Sequence, residues 1–285
     1  MMEKRRAQAA LSVVAAVAGT GYASGRELVL FFAQLGRLSW AGILLASAVF
    51  GALVGLMSCA SAPRRWYGRV AAALRGLLLA VVAAVMLLEA GKLGALTLPA
   101  RNGFLWGMLL ALALALLANA WGLRPLCRVG FGLLLWGVAF YAALALDARP
   151  VRIHLRGDVR LALEDNPAAA ALLALLYGSM NACVAAGIAG RYGRGNGGAA
   201  RFGMLCGGML CALLLCANAA IARGGRQLLA QALPVVLLSA RWGLAGFWMT
   251  ALFSYICAAA TLAAALDGLW ELAKRRPFLV DRGQA

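Results

Sequence analysis

Residues 8–35 read QAALSVVAAVAGTGYASGRELVLFFAQL, a run long enough to cross a bilayer as a helix yet interrupted at its centre. A crossing helix needs about 20 predominantly apolar residues. Leu11 to Ala18 supplies a helical first half, and the apolar pattern resumes as LVLFFAQL after Glu27. Between them stand Gly19, Gly21 and Gly25. Each glycine weakens a helix by about 1 kcal/mol relative to alanine. Arg26 and Glu27 follow directly, and an ionised side chain inside a span costs about 2.5 to 3.5 kcal/mol on insertion scales unless it faces a cavity or a partner. Two readings stay open. One is a glycine-lined packing face with Arg26 and Glu27 at the outer interface. The other is a helix broken in mid-membrane, its first half ending in free carbonyls and its second half pointing amides into a cavity.

The remainder of the chain places this segment in lipid. Of 285 residues, 64% are hydrophobic and 13% charged, with a mean hydropathy of +0.84, which excludes an ordinary water-soluble domain. Span lengths predict eight crossings, at about 8–35, 39–61, 70–97, 103–122, 126–146, 167–190, 202–222 and 243–271. A β-barrel is excluded because segments such as Leu109 to Ala118 are apolar on every side, whereas barrel strands alternate. The charged start and apolar run at the N-terminus resemble a signal peptide, but the run continues into glycine-rich and aromatic sequence and reads as a retained first span. The expected fold class is therefore all-α integral membrane, one polytopic unit over 1–285. The piece LLAQALPVVLL at 228–238 is too short to cross and is interrupted by Pro234, which predicts a re-entrant or surface helix.

Charge sets the expected orientation. Of the 27 lysines and arginines, sixteen fall in the loops on the N-terminal side, nine in the opposite loops, and Arg26 and Lys92 inside spans. Basic loops resist translocation, so both termini are expected on the cytoplasmic side. The formal charge of +17 is then an orientation signal read by an anionic leaflet, and it needs no nucleic acid. The lipid bilayer is the expected partner. Seven cysteines lack any CxxC pair or metal-ligand spacing, so neither a disulfide framework nor a metal site is predicted. No HExxH, no Ser-Lys or Asp-Asp pairing and no nucleotide loop occurs, and no enzymatic activity is expected.

The loop at 147–166 alternates apolar and polar residues on both sides of Gly157-Asp158, which predicts an external β-hairpin, with an interfacial helix as the competitor. Arg156-Gly157-Asp158 reads as turn chemistry, and His154 as a solvated polar face. Glu89 and Lys92, spaced i and i+3, are expected to pair locally. Asp267 and Glu271 fall near the inner boundary, beside Lys274 and Arg275. Gly203, Gly207 and Gly208 form a small-residue face suited to helix packing.

A second interruption is expected in the sixth span, where Tyr177-Gly178-Ser179-Met180-Asn181 places polar groups among aliphatics. Small residues and Asn also glue helices together, so the packing explanation remains beside it. In register, the sixth span enters from the opposite side to the first, the relationship of inverted repeats with one broken helix in each half.

Gly19-Thr20-Gly21-Tyr22-Ala23-Ser24-Gly25-Arg26-Glu27 with Phe31-Phe32 and Gly36 is similar to the GAGFASGQE stretch and following double phenylalanine of the YkvI family of bacterial membrane proteins. These are relatives of the amino acid, polyamine and organocation transporters with the LeuT-type fold. Leu176 to Asn181 in span six adds to the resemblance, as does Gln231-Ala232-Leu233-Pro234, where relatives carry Glu-Ile-Pro. The resemblance implies a bacterial cell membrane protein with a substrate cavity at the midplane and alternating access. Gly19, Thr20, Gly21, Tyr22, Ala23, Ser24, Gly25 and Arg26 would line that cavity from the first span, and Tyr177, Ser179 and Asn181 from the sixth. Arg26 is expected to pair with a ligand carboxylate or with Glu27.

Glu27 is the candidate for proton coupling, because a helix N-terminus favours its ionised form while removal from water favours its neutral form. Two departures bear on function. The LeuT-type fold has ten spans as five plus five, whereas this chain reads as a first half at about 1–146, an external loop and an incomplete second half at about 167–285. Span eight reads Ala260-Thr261-Leu262-Ala263 where sodium-coupled relatives carry adjacent threonines, which disfavours sodium and leaves a proton as the coupling ion. No cofactor is expected. The functional expectation is a secondary transporter of a small polar or zwitterionic metabolite, of the amino acid or organocation class. The alternative is a non-transporting, receptor-like membrane component, which pairs as a homo-oligomer or with a second membrane subunit.

Overall fold

A computed structural model of the chain describes residues 2–59, 65–98, 101–121, 123–147, 163–192, 198–224, 228 and 234–274. In order the helices are α1 (Met2–Val17), α2 (Thr20–Ser24), α3 (Arg26–Phe31), α4 (Ser39–Cys59), α5 (Arg65–Thr97), α6 (Gly103–Trp121), α7 (Leu123–Leu146), α8 (Pro167–Tyr192), α9 (Ala199–Gly224), α10 (Pro234–Ser239) and α11 (Gly243–Lys274), with 3-10 turns at Ala33–Leu38 and Ala240–Trp242. No strand occurs among the described residues. Six apolar helical stretches among them are long enough to cross a membrane, at Ala33–Ser58, Val70–Thr97, Gly103–Ala120, Pro167–Ala189, Ala199–Gly224 and Pro234–Lys274. Two apolar helices, Ala7–Val17 and Gly130–Leu146, are shorter. The first of these ends at Val17, where the helix expected over 8–35 is interrupted.

The cut has two parts. Ala18 N–H still donates to the Val14 carbonyl at 2.9 Å, but Gly19 N–H turns to Val17 O at 2.8 Å and the ladder ends there. Gly19 itself is extended, at φ −70° and ψ 179°. Helix α2 then lasts five residues, until Gly25 adopts the left-handed conformation at φ 81° and donates to Tyr22 O at 3.1 Å. A side chain there costs about 1 to 2 kcal/mol, so glycine is the residue that allows the stop. The ladder is thus interrupted at Gly19 and at Gly25, with a helical turn over the Gly21 segment between them.

The sixth span is different. Helix α8 runs unbroken from Pro167 to Tyr192, so the expected second interruption is not there. Asn181 donates from Nδ2 to the Tyr177 carbonyl one turn back, at 3.0 Å, which satisfies the amide without freeing the backbone. Gly178 serves close packing, since a Cβ built on it would stand 2.7 Å from the Ala46 carbonyl of α4. One glycine and a back-bonded Asn leave the helix intact.

The ends of several elements gather at one end of the bundle. Asp165 N–H donates to Leu35 O at 3.3 Å, which brings the start of α8 to the 3-10 turn that closes the first span. The last carbonyls of α7 are met by arginines, Arg223 Nη1 to Ala145 O at 2.6 Å and Arg241 Nη1 to Asp147 O at 3.0 Å. Cations suit a helix C-terminus. Trp242 Nε1 adds a bond to the Asp147 carboxylate at 3.0 Å. The expected hairpin residues 148–162 lie outside the described residues.

Of the 228–238 piece, residues 229–233 lie outside the described residues, and helix α10 takes up its end. Its Pro234, Val235, Val236, Leu238 and Ser239 are buried. The Ser239 hydroxyl accepts a hydrogen bond from Thr250 Oγ1 at 2.7 Å, so α10 packs against the early turns of α11.

Small residues set the helix crossings. Ser47, Gly51 and Gly55 on α4 face Gly207, Gly203 and Ala199 on α9 in antiparallel order, so close that a Cβ on Gly51 would stand 2.7 Å from the Gly203 carbonyl. Gly208 meets nothing within 4 Å and takes no part. Outward, Leu56, Leu74, Leu77, Leu105, Leu135, Met204 and Leu252 are exposed on different helices. Apolar surface on that scale is at home in lipid. Inward, Tyr22, Leu28, Phe32 and Leu35 of the broken span are fully buried together with Phe50, Tyr141 and Tyr177. The interrupted segment therefore occupies the core.

Candidate functional site

Gly19 and Gly25, where the ladder stops, are each matched to a neighbour. A Cβ on Gly19 would lie 3.1 Å from Met86 Sδ of α5 and 3.5 Å from Thr261 Oγ1 of α11. A Cβ on Gly25 would lie 2.7 Å from Val235 Cγ2 and 3.0 Å from Pro234 Cγ. Helix α10 is thus seated on the stop at Gly25. Thr20 and Gly21 lie within α2, and Ala23 and Ser24 are buried there.

Carbonyls released at the end of α2 find a partner in α7. Tyr141 donates its hydroxyl to Tyr22 O at 2.7 Å and to Ala23 O at 3.2 Å. Tyr22 in turn donates to the Leu213 carbonyl of α9 at 3.2 Å. The two tyrosine rings meet edge to face, with centroids 5.3 Å apart, and Phe253 of α11 closes the cluster. Backbone groups buried in a protein core must be satisfied within it, and these tyrosines help to do so.

Arg26 does not pair with Glu27. Its Nη1 lies 2.8 Å from Oε1 of Glu89 on α5, and Lys92 Nζ reaches the same oxygen at 2.9 Å. The Glu89–Lys92 pair is the local one expected from i, i+3 spacing. The arginine joins it because Glu89 brings a buried carboxylate against α3, whereas Glu27, one residue on along a helix, points elsewhere. Glu27 makes no hydrogen bond or ion pair among the described residues.

From the sixth span, Tyr177 enters the site. Its ring packs edge to face on Phe31 and Phe32, with centroids 5.1 and 5.0 Å away. Asn181 is buried one turn further on and is engaged with the Tyr177 carbonyl. Ser179 is two residues from each, about 200° around the helix, so it does not share their face.

Several members of the constellation lie outside the residues that the resemblance assigns to the site. Glu89, Lys92 and Tyr141 come from α5 and α7. Thr261 and Ser254, seven residues apart on one face of α11, are buried with hydroxyl oxygens that have no partner among the described residues. Glu89 Oε2 is in the same position. Unsatisfied buried polar atoms are rare enough to mark a place where a ligand, ion or water belongs. Intramembrane charge was the one signal in the sequence that pointed to Glu89 and Lys92, and nothing local pointed to Tyr141. No protein-family model, no curated protein and no solved structure matches this chain.

Proposed function

We propose that the chain is a secondary transporter of a small polar or zwitterionic metabolite, with its ligand site at the interrupted first span. The observation that carries the reading is the double break at Gly19 and Gly25 in the buried core, surrounded by an intramembrane ion cluster and unsatisfied hydroxyls. Structures of that kind cost stability and persist where they line a pathway. The proposed scaffold is an eight-span, LeuT-like bundle of the YkvI type, in which α8 runs opposite to the broken span beside it. Both termini are assigned to the cytoplasm of a bacterial cell by the basic loops, and a reporter fused after Ala285 that is active only outside would reverse that orientation. Coupling is assigned to a proton through Glu27, because Thr261 stands between Ala260 and Leu262 without a second threonine.

The continuity of α8 favours a second reading. With one hinge rather than two, the bundle suits a receptor-like subunit that binds without moving its cargo. Purified protein in proteoliposomes, supplied with labelled amino acids and organocations under an imposed pH gradient, separates the two. Saturable uptake abolished by a protonophore supports transport. Ligand-dependent thermal stabilisation with no uptake of that same ligand supports the receptor-like subunit.

A further inference from the structure

The geometry points to the Arg26–Glu89–Lys92 triad as a binding site for a ligand carboxylate, which binds beside Glu89 to the same two cations. This deepens the reading of the broken span as a ligand site and rests on it.

Three observations carry it. First, the cations outnumber the carboxylate and their bonding capacity is mostly unspent. Among the described residues, Arg26 and Lys92 each make one side-chain hydrogen bond, both to Glu89 Oε1, at 2.8 and 2.9 Å, although a guanidinium has five N–H donors and an ammonium three. Second, the approachable groups are the cations. The Glu89 side chain is 8% exposed, against 41% for Arg26 and 49% for Lys92. Its second oxygen is buried with no partner among the described residues, so Glu89 is a counter-ion held on one oxygen. Third, the two cations come from different elements, Arg26 from α3 directly after the Gly25 stop and Lys92 from α5, and converge on one carboxylate oxygen beside the break.

A carboxylate arriving between the two cations satisfies donors that Glu89 leaves idle, and a guanidinium grips it with two parallel bonds. A purely cationic ligand meets two like charges instead. The site therefore selects anions and zwitterions and rejects organocations. A static role, in which the triad only ties α3 to α5, predicts no response to small carboxylates.

The test uses the full chain in nanodiscs at neutral pH and constant ionic strength, with melting followed as formate, acetate and glycine are titrated against formamide, acetamide and methylamine. Wild type is expected to be stabilised saturably by the carboxylates alone. Lys92→Met should weaken the acetate midpoint about tenfold, and Glu89→Gln, which removes the competing charge, should tighten it about tenfold. Should Glu89→Gln fail to fold, wild type and Lys92→Met still decide. Equal stabilisation by acetamide or methylamine, no saturable carboxylate effect in wild type, or an unchanged midpoint in Lys92→Met overturns the site. Carboxylate stabilisation without any uptake into proteoliposomes removes transport and leaves the site standing. Uptake of a non-carboxylate solute with no carboxylate effect removes the site alone.

Discussion

The Tyr141 hydroxyl stands 2.7 Å from the carbonyl oxygen of Tyr22, across a separation of 119 residues, and so closes from α7 the end of a helix that stops in the core after five residues. The bond joins the interrupted span to a continuous one. Tyr141→Phe keeps the ring contacts with Tyr22, Phe140 and Phe253 and removes only the donor. Ala23 O then loses its hydroxyl partner, and the variant should lose about 1 kcal/mol of stability. Reversible unfolding in mixed micelles measures it, with wild-type stability as the contrary result.

Gly25 is the position where substitution should be most costly. Its φ of 81° disfavours any side chain, and an added Cβ would press on Val235 Cγ2 at 2.7 Å. Strain of about 1 to 2 kcal/mol adds to overpacking of about 1 to 3 kcal/mol. Gly25→Ala should therefore unfold at a clearly lower denaturant fraction than Gly132→Ala, whose Cβ would meet nothing within 4 Å. Equal midpoints for the two variants would refute the tight seating of α10 on the break.

Among the three glycines of the small-residue face, Gly207 and Gly208 should behave oppositely. A Cβ on Gly207 would approach the Ser47 carbonyl at 2.7 Å, while one on Gly208 has open space. Gly207→Ala is expected to cost about 1 to 3 kcal/mol through separation of α4 and α9. Gly208→Ala should be neutral or stabilising by up to about 1 kcal/mol, through helix propensity. Parallel unfolding curves check both, and a destabilised Gly208→Ala would mean that the α9 face is covered.

Local chemistry made the first-span break legible, because three glycines in seven residues followed by two charges leave a membrane helix few alternatives. Its placement was less so. Whether Gly19 or Gly21 leaves the ladder depends on Met86 and Thr261 packing against Gly19, and no spacing in the chain encodes that. The sixth span misled for a related reason. Tyr177, Gly178 and Asn181 are polar or small in sequence, but the amide bonds its own helix and the glycine admits α4, so the same residue types produce packing rather than interruption. Arg26 and Glu89 are 63 residues apart, and helical periodicity relates Glu89 only to Lys92. The partner of Arg26 became evident only once α3 and α5 were brought together.

The most direct test of the account is proton-driven uptake by a Glu27→Gln variant, measured beside equilibrium binding of the same labelled ligand. Glu27 lies in the first turn after the Gly25 break and is without an ion-pair partner among the described residues. Gln retains the size and removes the titration. In proteoliposomes with an imposed pH gradient, uptake should fall to the protonophore-treated baseline while the binding constant stays within about threefold of wild type, a change of less than about 1 kcal/mol. Undiminished gradient-driven uptake in Glu27→Gln would contradict the account.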